Sequence, residues 1–254
     1  MTDPAPTTED GFLGGRLRLR QPVSGHRAGH DAILLAAATR ARPDDRVVEF
    51  GAGVGAAGLA LAARVGGLDL VLVERDPFLA GLARANAAAN GIRADAMVLD
   101  VQASADDFAA LGLSPDSVDV VLMNPPFNDP ARHRGSPDGA RQIAHVATAT
   151  TLESWVHAAR RVLKSGGALT LIWRADGLAD VLAALGRGFG GLWLLPVHGK
   201  PDEPAIRVLI RAVKGGRAPL RIDAALHLNE ASGIPTNSAR AVLNGEQILP
   251  AAIT

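Results

Sequence analysis

Short apolar runs alternate with helical segments along most of this chain, and this rhythm limits the folds that it can adopt. Each run is bounded by charged residues, Gly or Pro, and the clearest runs are 46–50, 69–74, 96–99 and 118–123. Strands that alternate with helices usually pair in parallel, in a sheet with helices on both faces. The sequence therefore predicts an α/β fold with a mostly parallel sheet and with helices near 30–41, 55–64, 77–89, 104–110, 148–163 and 176–186.

The last two apolar runs, near 191–197 and 205–212, depart from this rhythm. The segment that joins them is rich in Pro and is too short to contain a crossover helix. Parallel neighbours need such a crossover, whereas antiparallel neighbours need only a short turn. These two runs are therefore predicted to form a C-terminal antiparallel hairpin.

A glycine-rich segment follows the first strand and precedes a helix. Gly51 and Gly53 permit a tight turn and let a ligand approach the backbone closely. With Gly55 and Gly58, Gly53 also matches the G-x-G-x-x-G pattern of dinucleotide sites. Glu49 argues against a dinucleotide site, because a carboxylate just before the loop is a poor neighbour for a pyrophosphate. It suits the ammonium group of a methionine-type ligand, directly or through water.

Acidic residues also end the next two strands. Glu74 closes the second strand, and Asp100 follows the third. The carboxyl ends of parallel strands meet at one edge of a sheet, where open α/β sheets bind their ligands. Glu74 is placed to accept hydrogen bonds from both ribose hydroxyls, a feature shared with NAD sites, and Asp100 is placed to accept from an adenine amine.

The fourth strand ends in Asn124-Pro125-Pro126-Phe127, which is a poor sequence for packing a core. The two prolines stop the strand and stiffen the turn, because Pro has a fixed φ and no backbone N–H. The side-chain oxygen of Asn124 and the carbonyl of Pro125 are then fixed acceptors, and Phe127 offers a flat face. This combination predicts a binding site for a planar group that carries an NH₂. The structural alternative is a plain turn with a Phe in the core.

In this order, the motifs resemble those of class I S-adenosylmethionine-dependent methyltransferases. The resemblance rests on Glu49-x-Gly51-x-Gly53-x-Gly55, Glu74, Asp100 and the Asn124–Phe127 tetrapeptide. It implies a Rossmann-like methyltransferase sheet with S-adenosylmethionine as cofactor. Asn124, Pro125 and Phe127 would be the catalytic residues, and Asn124 would join the residues that bind the cofactor. The tetrapeptide is similar to those of enzymes that methylate base amines or glutamine amides.

The N-terminal segment resembles the start of the valine-tRNA N6-adenine methyltransferases and their close relatives. The similarity comprises residues 12–22, Gly25-His26-Arg27 and residues 31–36. It implies an RNA substrate, with tRNA adenine as the leading target.

Arginines near the N-terminus and after the tetrapeptide are candidate RNA contacts. A strand over Arg16, Arg18 and Arg20 would put the arginines on one face and two leucines on the other, giving either a phosphate-binding strip or an ordinary solvated face. Arg27 and Arg132 are further candidates for substrate contacts.

Two other functions remain open from the sequence. Protein-glutamine methyltransferases use the same chemistry, but they usually carry Tyr at the position of Phe127, and this chain has no tyrosine. Methylation of a guanine amine in rRNA is a close variant. A non-catalytic or NAD-binding Rossmann-like protein is disfavoured by Glu49 and by the tetrapeptide.

Length and composition set the remaining expectations. The 254 residues suit one α/β domain with extensions. We expect a flexible tail, an N-terminal hairpin and helix that cover the cofactor site, a methyltransferase core and a C-terminal extension, over residues 1–11, 12–45, 46–212 and 213–254.

Charge and residue content exclude several classes of protein. The chain has no cysteine, so it has neither a disulfide framework nor a cysteine-ligated metal, and no metal is predicted. No apolar run is long enough for a membrane span, and the first residues do not resemble a signal peptide. A cytoplasmic enzyme is therefore expected. Lys and Arg number 26, as do Asp and Glu, which argues against a large nucleic-acid footprint.

Overall fold

The structure, a computed structural model, describes residues 6–25, 27–126 and 138–252, with side chains from residue 150 onward in the last range. The strands are β1 (Thr7–Phe12), β2 (Leu17–Pro22), β3 (Arg46–Phe50), β4 (Asp69–Glu74), β5 (Ala94–Val98), β6 (Val118–Met123), β7 (Leu163–Arg174), β8 (Phe189–His198), β9 (Ala205–Lys214), β10 (Arg221–Ile222) and β11 (Leu226–His227). The α-helices are α1 (His30–Ala38), α2 (Ala56–Val65), α3 (Pro77–Ala89), α4 (Ala105–Ala110), α5 (Asp138–Val162), α6 (Leu178–Leu185) and α7 (Asn237–Leu243).

The central sheet has the strand order β10-β8-β9-β7-β6-β3-β4-β5, with β11 also paired to β8. Strands β3 to β7 pair in parallel, and β9 lies antiparallel between β7 and β8. The α/β fold class with a mostly parallel sheet is therefore confirmed, as is the C-terminal antiparallel hairpin. The strand order switches between β3 and β6, the point at which open α/β sheets bind ligands.

Helices cover both faces of this sheet, so successive residues of one strand enter two separate cores. Val47 packs with α1, α2 and α3 on one face, whereas Val48 and Phe50 pack with α4, α5 and α6 on the other. Strands that are buried on both faces are apolar throughout. This arrangement explains why the sequence shows continuous apolar runs instead of alternation.

The N-terminal hairpin differs from expectation at its first strand. Residues 7–11 were expected to belong to the flexible tail, and they form β1, which pairs antiparallel with β2. The sequence Thr7-Thr8-Glu9-Asp10-Gly11 has no apolar alternation, because most of β1 is solvent-exposed and its order depends on pairing with β2. In β2, Leu17 and Leu19 are buried while Arg18 and Arg20 are exposed, as the alternation predicts.

Two helix boundaries also differ from expectation. Helix α5 begins at Asp138, ten residues before the predicted start. Its first turns have little apolar periodicity, but they are rich in Ala and contain no Pro, and Ala has the highest helix propensity. Helix α1 ends at Ala38, because Thr39 is extended with φ −81° and ψ 120°.

The C-terminal extension packs back onto the N-terminal elements. Helix α7 lies against α1, and the side chain of Arg16 at the hairpin tip donates to the Gly245 carbonyl at 2.7 Å. A Cβ at Gly245 would lie 2.8 Å from the side chain of Leu13, so this contact requires glycine. Within the described ranges, no helix has both the length and the apolar character needed to span a membrane.

Candidate active site

The glycine loop after β3 has an open side and a packed side. Gly51 and Gly53 have φ of +66° and +56°, a left-handed conformation that favours glycine. A Cβ at Gly51 would lie 2.4 Å from the indole of Trp155, whereas a Cβ at Gly53 would have no atom within 4 Å. The loop therefore rests on Trp155 and leaves space for a ligand beside Gly53.

Glu74 joins the end of β4 to this loop. The side chain is only 8% exposed, and its Oε2 accepts from the Gly53 N–H at 2.8 Å while its Oε1 accepts from the Asp76 N–H at 2.9 Å. A carboxylate has about four acceptor positions, so two remain for other donors. Glu74 can thus shape the loop and still accept from a ligand's hydroxyl groups.

Glu49 lies deeper than the sequence suggested. Its side chain is 6% exposed, and its Oε2 accepts from the Gly58 N–H at 2.7 Å in the first turn of α2. Burial, with a smaller contribution from the charge of Glu74, raises the pKa of Glu49 to about 8 against the lowering effect of the Gly58 and Ala57 N–H groups. A contact with a ligand ammonium group stays a prediction, and such a cation would favour the ionised form.

Replacing Glu49 with glutamine should flatten the pH dependence of folding stability. The buried carboxyl keeps its proton up to about pH 8, whereas the unfolded chain releases it near 4.5. In the wild type, the contribution of Glu49 to the free energy of unfolding is therefore fully present below about pH 4.5. It falls as the pH rises towards 8, by up to about 1.4 kcal/mol per pH unit. Urea unfolding of both proteins near pH 5 and pH 8, without cofactor, measures the difference. An equal loss of unfolding free energy between pH 5 and pH 8 in the two proteins would contradict a raised pKa for Glu49.

Asn124 stands at the carboxyl end of β6 with an unused acceptor. Its Oδ1 is buried and has no hydrogen-bond partner among the described residues. A buried polar atom without a partner is costly, and a role in binding or catalysis is one of the explanations for it. Pro125 beside it is buried and Pro126 is exposed. Phe127 lies outside the described residues.

Asp100 occupies the same edge of the sheet, two residues beyond the end of β5. Its side chain is exposed, and its Oδ1 accepts from the Gln102 N–H at 2.8 Å, which forms a local turn. The second carboxylate oxygen has no partner among the described residues, so it is available to accept from an adenine amine.

The predicted arginine strip is only partly free. Arg18 pairs with Glu9 at 3.3 Å, and Arg16 is bound to the C-terminal extension. Arg27 donates to the Asp10 carboxylate, to the Thr8 hydroxyl and to the Pro22 carbonyl, so it fixes the hairpin. The guanidinium of Arg20 contacts no hydrogen-bond partner among the described residues. Arg132 lies outside them.

Two residues near the glycine loop were not predicted. Trp155 supports Gly51 from α5, and an aromatic residue on an apolar helix face gives no distinguishing signal. Asn86 on α3 is buried and donates to the Val54 carbonyl at 3.0 Å. A polar side chain within an alanine-rich helix was the available signal for Asn86.

The donors and acceptors at this edge fit S-adenosylmethionine. The free space beside Gly53 can accommodate part of the cofactor, and Glu74 has unused acceptor positions for its ribose hydroxyls. The Oδ1 of Asn124, which none of the described residues bonds, lies at the switch point of the sheet, where a substrate amine would meet the methyl group. Among the described residues, no cluster of His, Asp and Glu is arranged to hold a metal ion.

Comparison with known proteins agrees with this geometry. The family model called methyltransferase small domain matches residues 26–192. A tRNA1(Val) (adenine(37)-N6)-methyltransferase of Porphyromonas gingivalis is 30% identical over 176 residues, which cover 68% of each chain.

Two further relatives differ in how much of their length is shared. A ribosomal RNA small subunit methyltransferase C of Pseudomonas syringae is 32% identical over 130 residues, which cover 51% of this chain and 32% of that protein. A solved structure from Agrobacterium tumefaciens, described as a predicted O-methyltransferase, is 33% identical and superposes with a TM-score of 0.71 over 86% of this chain and 98% of that one.

Proposed function

Because the chain belongs to the methyltransferase small-domain family and is an S-adenosylmethionine-dependent N-methyltransferase, we propose that it methylates the exocyclic amine of adenine in tRNA. The observation that carries this proposal is the buried Oδ1 of Asn124 at the switch point of the sheet, which has no hydrogen-bond partner in the described part of the chain. An acceptor held there without a donor is suited to a substrate N–H that arrives with the base.

The residues at this edge act by positioning. S-adenosylmethionine, when bound, supplies an electrophilic methyl group on a sulfonium. In our proposal the Oδ1 of Asn124 and the carbonyl of Pro125 each accept one N–H of the substrate amine. These two hydrogen bonds hold the nitrogen lone pair in line with the methyl carbon, and Phe127 stacks on the base. The amine loses its proton to water after transfer, so no general base is assigned.

The choice of tRNA adenine over other amines rests on the N-terminal resemblance and on the named activity of the P. gingivalis relative. A base in a loop is the easier target, since a stacked or paired base must first be turned out of its stack. A tRNA substrate would place the reaction in the cytoplasm.

A methyl-transfer assay tests the proposal directly. Purified protein and tritiated S-adenosylmethionine are incubated with fractionated RNA from a strain that lacks the protein, and the labelled RNA is digested to nucleosides. We expect label in the tRNA fraction as N6-methyladenosine. Label as a methylated guanosine in rRNA would transfer the proposal to the guanine alternative. Label in a protein glutamine, with none in any RNA fraction, would contradict an RNA substrate.

Replacing Arg16, Arg18 and Arg20 with serine should weaken RNA binding across sequences. Each phosphate contact that is lost should flatten the slope of log affinity against log salt by about 0.7. Because the first two arginines already have partners within the protein, Arg20→Ser alone should account for much of the change.

Arg187→Ser is the matched control for this experiment. Arg187 is also exposed, but it follows α6, which packs on the other face of the sheet from β2. Filter binding at several salt concentrations measures the slopes. An unchanged slope in the triple variant would leave the arginines as a solvated strand face.

A further inference from the structure

Asn86 in α3 and Asn90, the C-cap residue of α3, pair with the free edge of β2. Asn86 Oδ1 accepts from the Arg20 N–H at 2.7 Å and its Nδ2 donates to the Arg20 carbonyl at 3.1 Å. One helical turn later, Asn90 makes the same two bonds with the backbone of Arg18, at 3.0 and 2.8 Å. The spacings match, since four helical residues rise about 6 Å and two strand residues about 6.6 Å.

The third hydrogen bond distinguishes the two asparagines. Asn90 Nδ2 donates to the carbonyl of Asn86, within α3, at 2.8 Å. Asn86 Nδ2 donates to the carbonyl of Val54 at 3.0 Å, and Val54 lies in the glycine loop between Gly53 and Gly55. Asn86 is only 2% exposed, and its bond to Val54 is buried, whereas its two bonds to Arg20 are part-buried.

From this geometry we propose that Asn86 is a positioning residue for the cofactor, which fixes the glycine loop against the N-terminal hairpin through one side-chain amide. The Val54 carbonyl is on one side of that amide and the backbone of Arg20 is on the other. The loop that takes the cofactor is thereby held from two directions, by Glu74 at Gly53 and by Asn86 at Val54.

The physical reason is preorganisation. Val54 is buried, so loss of the donor leaves its carbonyl without a partner in a place that water hardly reaches. The loop then relaxes, and cofactor binding must supply the free energy to order it again. The affinity for the cofactor should fall. The reaction of the bound complex should change much less, because among the described residues Asn86 makes no hydrogen bond to Asn124.

Alanine substitution of each asparagine gives a matched pair. Both Asn86→Ala and Asn90→Ala lose the two bonds to β2, but only the first also loses the bond to the glycine loop. Calorimetry with S-adenosylmethionine and with S-adenosylhomocysteine measures affinity, and thermal unfolding measures stability. We expect Asn86→Ala to bind both ligands roughly tenfold more weakly, the lower range for leaving a buried group unpaired. Asn90→Ala should stay within about twofold of the wild type.

Steady-state kinetics distinguishes a positioning role from a purely structural one, because only a positioning role changes KM for the cofactor separately from kcat. Asn86→Ala should raise KM for the cofactor with kcat changed far less. If Asn86→Ala fails to fold at the assay temperature, both alanine variants are measured at a lower temperature at which thermal unfolding shows them to be folded, and the same shift is expected.

Two results would overturn the proposal. The first is wild-type cofactor affinity in Asn86→Ala. The second is an equal loss of cofactor affinity in Asn90→Ala, which would indicate a general effect of loosening the hairpin. The proposal depends on the cofactor and not on the choice of substrate. Calorimetry without RNA therefore decides it even if no RNA fraction accepts a methyl group.

Discussion

Asn124→Ala is expected to lower turnover on the true substrate by about 10²-fold or more, the usual loss when an oriented polar group is removed from a reacting centre. The substrate amine would lose one of its two fixed acceptors, and its lone pair would no longer be held in line with the methyl group. Cofactor affinity should change far less, because the loop at Gly53 and the carboxylate of Glu74 are retained.

Folding stability provides the control for this variant. In the wild type, the buried Oδ1 of Asn124 has no partner among the described residues, so its removal should leave the melting temperature unchanged or higher. Single-turnover methyl transfer and thermal unfolding on the same preparation measure both quantities. Wild-type turnover would show that Asn124 is only a turn residue. A large fall in melting temperature would show that its side chain supports the fold.

The edge of the sheet that holds the site could be predicted because it depends on rules that act locally. Apolar runs locate the strands, and parallel pairing brings Glu49, Glu74, Asp100 and Asn124 to one edge. No long-range contact has to be known for that step. The same reasoning gave the C-terminal hairpin, since the short link between β8 and β9 allows only an antiparallel pair.

The sequence could not show which side chains at this edge bond to the protein backbone and which have acceptors left for a ligand. Glu49 was expected to face a ligand, and its position on the Gly58 N–H depends on how closely α2 approaches β3. The role of Asn86 depends on three segments meeting, β2, α3 and the glycine loop. Strand β1 was missed for a related reason, because a polar strand that is ordered by its partner carries no periodic signal.

Glu74→Ala is expected to weaken S-adenosylmethionine binding by roughly 1.5–3 kcal/mol, the range for hydrogen bonds to a charged group. Two causes contribute, since the carboxylate is predicted to accept from the ribose hydroxyls and is seen to accept from the Gly53 N–H. Calorimetry with S-adenosylmethionine measures the total. NAD is expected not to bind, and binding of NAD without S-adenosylmethionine would contradict the cofactor assignment.

An analogue with a 2′-deoxyribose separates the two causes through a double-mutant cycle. Removal of the hydroxyl should weaken binding to the wild type and should have little further effect on Glu74→Ala, because the acceptor is already absent. If hydroxyl removal costs both proteins equally, Glu74 acts only through the loop. In that case the loss in the alanine variant would have the same origin as the loss in Asn86→Ala, since each residue holds the glycine loop by one side-chain hydrogen bond, Glu74 at Gly53 and Asn86 at Val54.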